Sequence, residues 1–444
     1  MKSPRRKKAF SPKANIGIED IQLTADFHAA VELMRNGDAC QFITGRAGTG
    51  KSTLLRYFRD TTRQNVVVLA PTGIAAINVG GQTIHSFFQL PPRFIQESEV
   101  NLLGKTRALI QKIDTIIIDE ASMVRADVMD GIDMSLRINR SSNKPFGGVK
   151  IILIGDLFQL PPVVGQDMNE FFEKKYQSPF FFSARVFDKV DIRCFELTHI
   201  FRQSEPKFIA LLNNIRENKH TETDMALLNS RLIGEDDYVD EEEAFVVLTA
   251  TNDAAARINA YNLSKIEDEP YRYQARVTDK FDEREYPNEY SLTLKKGAQI
   301  MMIKNDVEKR RWVNGSIGFV EQLSESLIQV NIGGNVYDVP QHKWEKIQYV
   351  YSEAADRIEP NVIGTFDQFP LKLAWAITIH KSQGQTFDDV VIDVGGGAFA
   401  HGQIYVALSR CTKLEGIRLK RKIHARDVIF DGRVLEFHLR VPST

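Results

Sequence analysis

Cysteine is scarce in this chain, with three in 444 residues. Cys40, Cys194 and Cys411 lie far apart and form neither a C-x-x-C pair nor an even set, which excludes a disulfide framework and predicts reduced thiols without structural zinc. Long hydrophobic runs are missing as well. No apolar stretch approaches the roughly 20 residues that a membrane helix needs, and the opening M-K-S-P-R-R-K-K lacks the apolar core of a secretory signal. The expectation is a soluble, intracellular chain with no membrane partner. An excess of charge is also absent, with Lys+Arg 57 against Asp+Glu 58. A polyanion would therefore have to be held in a confined groove and not on a generally basic surface.

What is present is enough apolar material, 43% of residues, for two or three cores of ordinary size. Arg5, Arg6, Lys7 and Lys8 form a dense basic cluster among Pro and Ser, read as a solvated tail over 1–20. The acidic run 235–243 reads as a solvated loop. Short β-branched runs at 66–71, 116–120, the 150s, 245–252 and 390–395 each end in polar residues or glycine. That pattern predicts strands buried on both faces in parallel sheets, with functional residues at their carboxyl ends. Between the two sets of runs, alternating segments with turns at Asn314-Gly315 and Gly333-Gly334 predict a small antiparallel barrel. The expected fold is α/β, with a first parallel-sheet domain over 21–186, a second over 187–262 and 361–437, and the barrel at 263–360 inserted in the second. An excursion from the first sheet is expected at about 80–104.

Residues 45–52 read G-R-A-G-T-G-K-S, a complete P-loop after a strand and before a helix. In that context the backbone of Gly45, Ala47, Gly48, Thr49 and Gly50 wraps a triphosphate, and Lys51 reaches its β- and γ-phosphates. Ser52, beside Thr53, offers a hydroxyl to Mg²⁺. Asp119 and Glu120 end the run I-I-I-D-E, where Asp119 serves as the second Mg²⁺ ligand and Glu120 as the base that activates the attacking water. Gln159, in G-D-L-F-Q-L-P-P-V, stands beyond another buried strand, where a neutral amide can sense the γ-phosphate.

These runs occur in order with P-T-G-I-A-A-I-N-V-G-G-Q-T-I-H-S-F-F, D-E-A-S-M-V-R-A-D-V-M-D, L-T-H-I-F-R-Q, A-I-T-I-H-K-S-Q-G-Q-T-F and Y-V-A-L-S-R-C-T. The chain thereby resembles, from about residue 20 to Phe437, the petite integration frequency helicases, a RecD-related branch of superfamily 1B. The resemblance implies two RecA-like domains, an SH3-like barrel, a wedge-like excursion, and ATP-driven 5′ to 3′ movement of a monomer on single-stranded DNA. Duplex DNA at single-strand junctions, RNA–DNA hybrid and G-quadruplex would be opened. The compartment would be the cytoplasm and nucleoid of a bacterium, or a eukaryotic nucleus.

Carried onto matching positions, the family pattern makes Arg202 and Arg410 arginines that reach the triphosphate from the second domain, with Gln383 and Gly384 at the same seam. Thr72, Gly73, Thr378, His380, Lys381 and Ser382 would grip strand phosphates. His85, Phe87, Phe88 and Pro161 would stand beside the bases, Phe87 and Phe88 being equally readable as core. The adenine-reading glutamine of the family is replaced by Phe27, which leaves Gln22, or Phe27 and His28, to meet the base. An RNA helicase of the same superfamily and a nucleotide-switched clamp on single strands are the rival readings.

Overall fold

The structure is a computed structural model that describes residues 24–104, 106–233, 245–306, 308–353, 355 and 357–441. The basic cluster of residues 5–8, Gln22 and the acidic run lie outside the described residues. Six strands form the first sheet: β1 (Cys40–Gly45), β2 (Val66–Ala70), β3 (Gln82–Thr83), β4 (Thr115–Ile118), β5 (Lys150–Ile154) and β6 (Arg193–Leu197). They pair in parallel in the order β3-β2-β4-β5-β1-β6. Both faces are covered, as an all-parallel sheet requires. Helices Ala25–Asn36 and Lys51–Thr61 bury Phe27, Met34, Leu54 and Phe58 on one face, and helix Ala126–Arg140 buries Met129, Ile132 and Leu136 on the other.

The second sheet is also parallel, with strands in the order Ala376–Thr378, Val246–Thr249, Val390–Asp393 and Ile417–Leu419. Its core takes Phe208, Leu211 and Ile215 from helix Pro206–Arg216 and the whole of helix Gln403–Leu408. The α/β architecture and the position of nearly every apolar run therefore agree with the sequence.

Three features differ. The expected boundary at 186 falls before β6, which pairs with β1 and so belongs to the first sheet. Its sequence R-C-F-E-L carries Arg193 and Glu196 among its apolar residues and does not have the continuous apolar signature of a central strand. The insert, in turn, extends past 360 to Leu373, where strand Leu371–Leu373 pairs with Gln299–Met302. Nor do its strands close into a barrel among the described residues. They form open antiparallel sheets of two, five and three strands.

The three-stranded sheet explains the lack of closure. Its long ribbon, His342–Ser352 paired with Arg357–Gln368, leaves the insert and docks on the first domain. The Tyr349 hydroxyl accepts the Val68 amide proton at 3.2 Å, and Asn65 Oδ1 accepts that of Ile358 at 3.1 Å. At the other end, helix Gly432–Arg440 leaves the second domain and buries Val434 and Phe437 in the core of the first. The Phe437 ring stacks on Phe182 with centroids 4.5 Å apart.

Phe437→Ala removes this stack and leaves a cavity in the first domain's core. A loss of about 3–5 kcal/mol is expected in the unfolding transition of that domain, read by urea titration. A loss under about 1 kcal/mol would mean that the helix merely lies on the surface.

Candidate functional site

The P-loop joins β1 to helix Lys51–Thr61. Gly48 and Gly50 take φ of 86° and 87°, a left-handed region that a side chain disfavours. At Gly48 space is also decisive, because a Cβ would stand 2.5 Å from Arg202 Cβ. The strap that follows β6 packs on this loop, with the Phe201 amide donating to the Gly48 carbonyl at 2.9 Å. Lys51 Nζ donates to the carbonyls of Gly45 (2.6 Å) and Arg46 (3.0 Å). Burial pushes the Lys51 ammonium below its ordinary range, while Asp156 and Glu120 nearby favour its charge. Ser52 is exposed at the first turn of the helix, next to half-buried Thr53.

Asp119 and Glu120 follow β4, across from the P-loop. Glu120 adopts a left-handed backbone, φ 51°, and begins the turn Ala121–Met123. A non-glycine residue held there costs on the order of 1 kcal/mol, a strain that clusters at working sites. Burial and the adjacent Glu120 carboxylate raise Asp119 to about 7, and burial raises Glu120 as well. Both carboxyls thus lie where a cation would be welcome. Gln159 is buried, its side-chain amide 3.3 Å from Asp156 Oδ2.

The two arginines differ in origin. Arg410 comes from the second domain, just after helix Gln403–Leu408, and is fully buried. It donates to Val406 O (2.9 Å), Ser382 O (3.3 Å) and Ser409 Oγ (2.9 Å). Burial and the neighbouring Arg202 guanidinium push it down to about 9. Arg202, by contrast, does not reach in from the second domain. It rides on the strap leaving the first sheet and donates to Ser409 O at 3.1 Å, so it meets Arg410 at the seam. Gln383 and Gly384 lie beside this seam; the Gln383 amide donates to His380 O at 3.2 Å, and Gly384 has φ 75°.

Expected strand-contacting residues divide by exposure. Thr72 is exposed and caps helix Gly73–Val79 by accepting from the Ala75 amide at 3.3 Å, while Gly73 faces Glu285 of the insert. Lys381 is exposed. Half-buried His380 stacks on the exposed Phe399 ring with centroids 6.4 Å apart, and Pro161 and His85 are half-buried. Four others point inward. Phe87 and Phe88 are core residues, 3% and 2% exposed, and cannot stack on a base from there. Their spacing on a short helix turns both rings against the sheet. Ser382 Oγ is bonded to Ile379 O at 2.7 Å, and Thr378 Oγ1 accepts the Lys381 amide at 3.2 Å. These hydroxyls shape the loop that presents His380 and Lys381. Phe27 is buried edge-on to Tyr57 and so does not present a face to a base.

Sequence reasoning assigned no role to Asp156, Arg216, Tyr405 or Lys372. Asp156 and Arg216 form a fully buried ion pair at 3.1 Å, with the guanidinium 4.0 Å over the Phe158 ring. The Tyr405 hydroxyl accepts the Ala47 amide proton at 3.0 Å. Asp156 and Tyr405 stand inside the quoted motifs, but Arg216 lies 60 positions from Asp156 and Ala47 lies 358 from Tyr405. Lys372, in strand Leu371–Leu373, lies near Lys381; burial and that like charge push it down to about 8.

A family model described as PIF1-like helicase matches residues 22–226, and one described as UvrD-like helicase C-terminal domain matches 373–414. The ATP-dependent DNA helicase Pif1 of Bdellovibrio bacteriovorus is 32% identical, over 95% of this chain and 92% of its own length. The chain belongs to the Pif1 family of ATP-dependent DNA helicases. Human PIF1 is 33% identical over 94% of this chain, which spans 63% of the human protein. Bacteroides Pif1 in complex with ADP-AlF4 superposes with a TM-score of 0.88 at 38% identity, covering 95% of this chain and 97% of that one. The same relative gives 0.87 unliganded and 0.68 bound to single-stranded DNA. This Pif1-family chain thus shares the domain arrangement of the relative's unliganded and ADP-AlF4 forms more closely than that of its strand-bound form.

Gly48→Ala introduces both a strained backbone, on the order of 1–3 kcal/mol, and a clash with Arg202. ATP turnover is expected to fall more than tenfold as the strap is displaced. Turnover equal to the parent's would show that contact between strap and P-loop has no bearing on catalysis.

Proposed function

We propose that this helicase moves 5′ to 3′ along single-stranded DNA and opens duplex, RNA–DNA hybrid and G-quadruplex structures by alternating closure and opening of its two parallel-sheet domains. One observation carries the coupling. Arg410, electrostatically close to Glu120, also donates to the Ser382 carbonyl in the loop that presents His380 and Lys381. A shift of this guanidinium toward a triphosphate therefore pulls on a loop that faces the strand.

In this reading the P-loop amides and Lys51 bind the phosphates, Glu120 accepts the proton of the attacking water, and Gln159 senses the γ-phosphate. Arg202 and Arg410 spread positive charge over the phosphoryl oxygens in the transition state, from opposite sides of the seam. Ser52 and Asp119 offer a hydroxyl and a carboxylate, a sparse oxygen set that suits Mg²⁺, an ion that keeps several waters and shares the phosphates. When bound, that ion would neutralise phosphate charge. Thr72, Gly73, His380 and Lys381 lie at the carboxyl ends of strands from both sheets, where contacts to a sugar–phosphate chain can be made and released without reading sequence.

Support for DNA as the track comes from relatives: Bacteroides Pif1 has been solved bound to single-stranded DNA, and two coordinating Pif1 helicases have been described at forked duplex DNA. The deciding experiment offers partial duplexes with either a 5′ or a 3′ single-stranded tail. Unwinding that requires the 5′ tail is expected, and unwinding from the 3′ tail alone would contradict the polarity.

Lys381→Ala is expected to weaken strand binding about equally on all base sequences and to reduce the salt slope by about one. Basal ATP hydrolysis should survive while stimulation by DNA drops. Unchanged affinity and slope, measured by titration at two salt concentrations, would place Lys381 away from the strand.

A further inference from the structure

Segment 401–405 of the second domain holds loop 156–160 of the first at three points. His401 Nδ1 accepts the Asp431 amide proton at 2.9 Å, which leaves Nε2 as the nitrogen that donates to Leu157 O, also at 2.9 Å. Gly402 approaches so closely that a Cβ would stand 2.3 Å from Phe158 O and 2.6 Å from Gln159 O. Tyr405 is the third point. Its hydroxyl accepts from Ala47 in the P-loop at 3.0 Å and lies 3.4 Å from Asp156 Oδ2.

Asp156 is the hub of that loop. Its Oδ2 accepts from the Gln159 side-chain amide at 3.3 Å, and its Oδ1 from the Arg216 guanidinium at 3.1 Å and the Phe158 amide at 3.2 Å. Arg216 is fixed in turn over the Phe158 ring. The carboxylate thus cannot turn freely. Any change at its Oδ2 is felt at the Gln159 amide, which shares that oxygen with the Tyr405 hydroxyl.

We propose that Tyr405 is a positioning residue that transmits closure of the second domain to Gln159 through Asp156, with Arg216 as the anchor. The proposal rests on the reading that Gln159 senses the γ-phosphate. A phenol suits the task because one oxygen both accepts from the P-loop amide and donates to the carboxylate. Burial pushes this phenol up to about 12, so it remains a donor at any working pH. Phenylalanine would keep the ring packing and delete both bonds. A residue serving only to fill space would be replaced by it without kinetic effect.

The test is a double-mutant cycle on the full chain with saturating single-stranded DNA, using Tyr405→Phe, Gln159→Ala and the pair. Tyr405→Phe should lower kcat about three- to tenfold, the worth of one or two neutral hydrogen bonds, with KM for ATP within about twofold and the thermal midpoint retained. In the Gln159→Ala background the Tyr405 substitution should add nothing further, since the two act on one element. An unchanged kcat in Tyr405→Phe, or losses that multiply in full, overturns the proposal. Parent-like turnover in Gln159→Ala alone instead overturns the γ-phosphate reading beneath it.

Discussion

Asp156 is a fully buried carboxylate that Lys51 and Arg216 hold in its charged form. Burial alone would raise its pKa, yet the two cations outweigh that cost and keep it below the ordinary carboxylate range. The balance is reciprocal, since burial disfavours the charges of Lys51 and Arg216 and the Asp156 carboxylate favours both. Taking charges out of water is expensive unless they are paired and hydrogen-bonded, and removing one partner of such a pair typically costs about 3–5 kcal/mol. The strand end that carries Asp156, the P-loop that carries Lys51 and helix Pro206–Arg216 are consequently locked together. The first domain brings Lys51 and Asp156 to this place, and the second brings Arg216.

Around that lock, the P-loop and the loop at 380–384 are neighbours through only a few bonds. Arg410 touches Ser382, Ser409 receives Arg202, and Tyr405 touches the P-loop. The buried arginines carry depressed pKa values because burial disfavours their charge, and at Arg410 the neighbouring Arg202 adds to the effect. A bound triphosphate would bring compensating negative charge. The docked ribbon of the insert and the carboxyl-terminal helix span the same seam from outside, so relative movement of the domains has to be accommodated at Tyr349 and Phe437 as well.

Legibility in the sequence followed distance along the chain. The loop between β1 and helix Lys51–Thr61 could be placed outright because its glycines, lysine and hydroxyl are consecutive. Continuous apolar runs gave the central strands to within three residues, since a strand buried on both faces has few polar positions. Edge strand β6 escaped because Arg193 and Glu196, one exposed and one half-buried, interrupt its apolar residues, and the boundary was placed too early. The expected barrel failed for a related reason: alternation predicts strands with one covered face, but not whether the cover is another strand of the insert or the neighbouring domain. Phe87, Phe88, Thr378 and Ser382 sit in runs expected to meet a strand yet face inward, because proximity to a motif does not set rotamer direction. Tyr405 was invisible as a partner of Ala47, since nothing local marks a contact across 358 positions.

The central claim is that nucleotide state is read through the distance between the two parallel-sheet domains, with Arg410 as the sensor. Its most direct measurement is energy transfer between dyes on Asp60→Cys in the first domain and Glu222→Cys in the second, both exposed, while the three native cysteines are buried. Adding ADP and aluminium fluoride with single-stranded DNA should change the transfer efficiency in the parent, and Arg410→Ala should abolish the change while the complex still forms. A change of equal size in the Arg410→Ala protein, or none in the parent, would contradict the account.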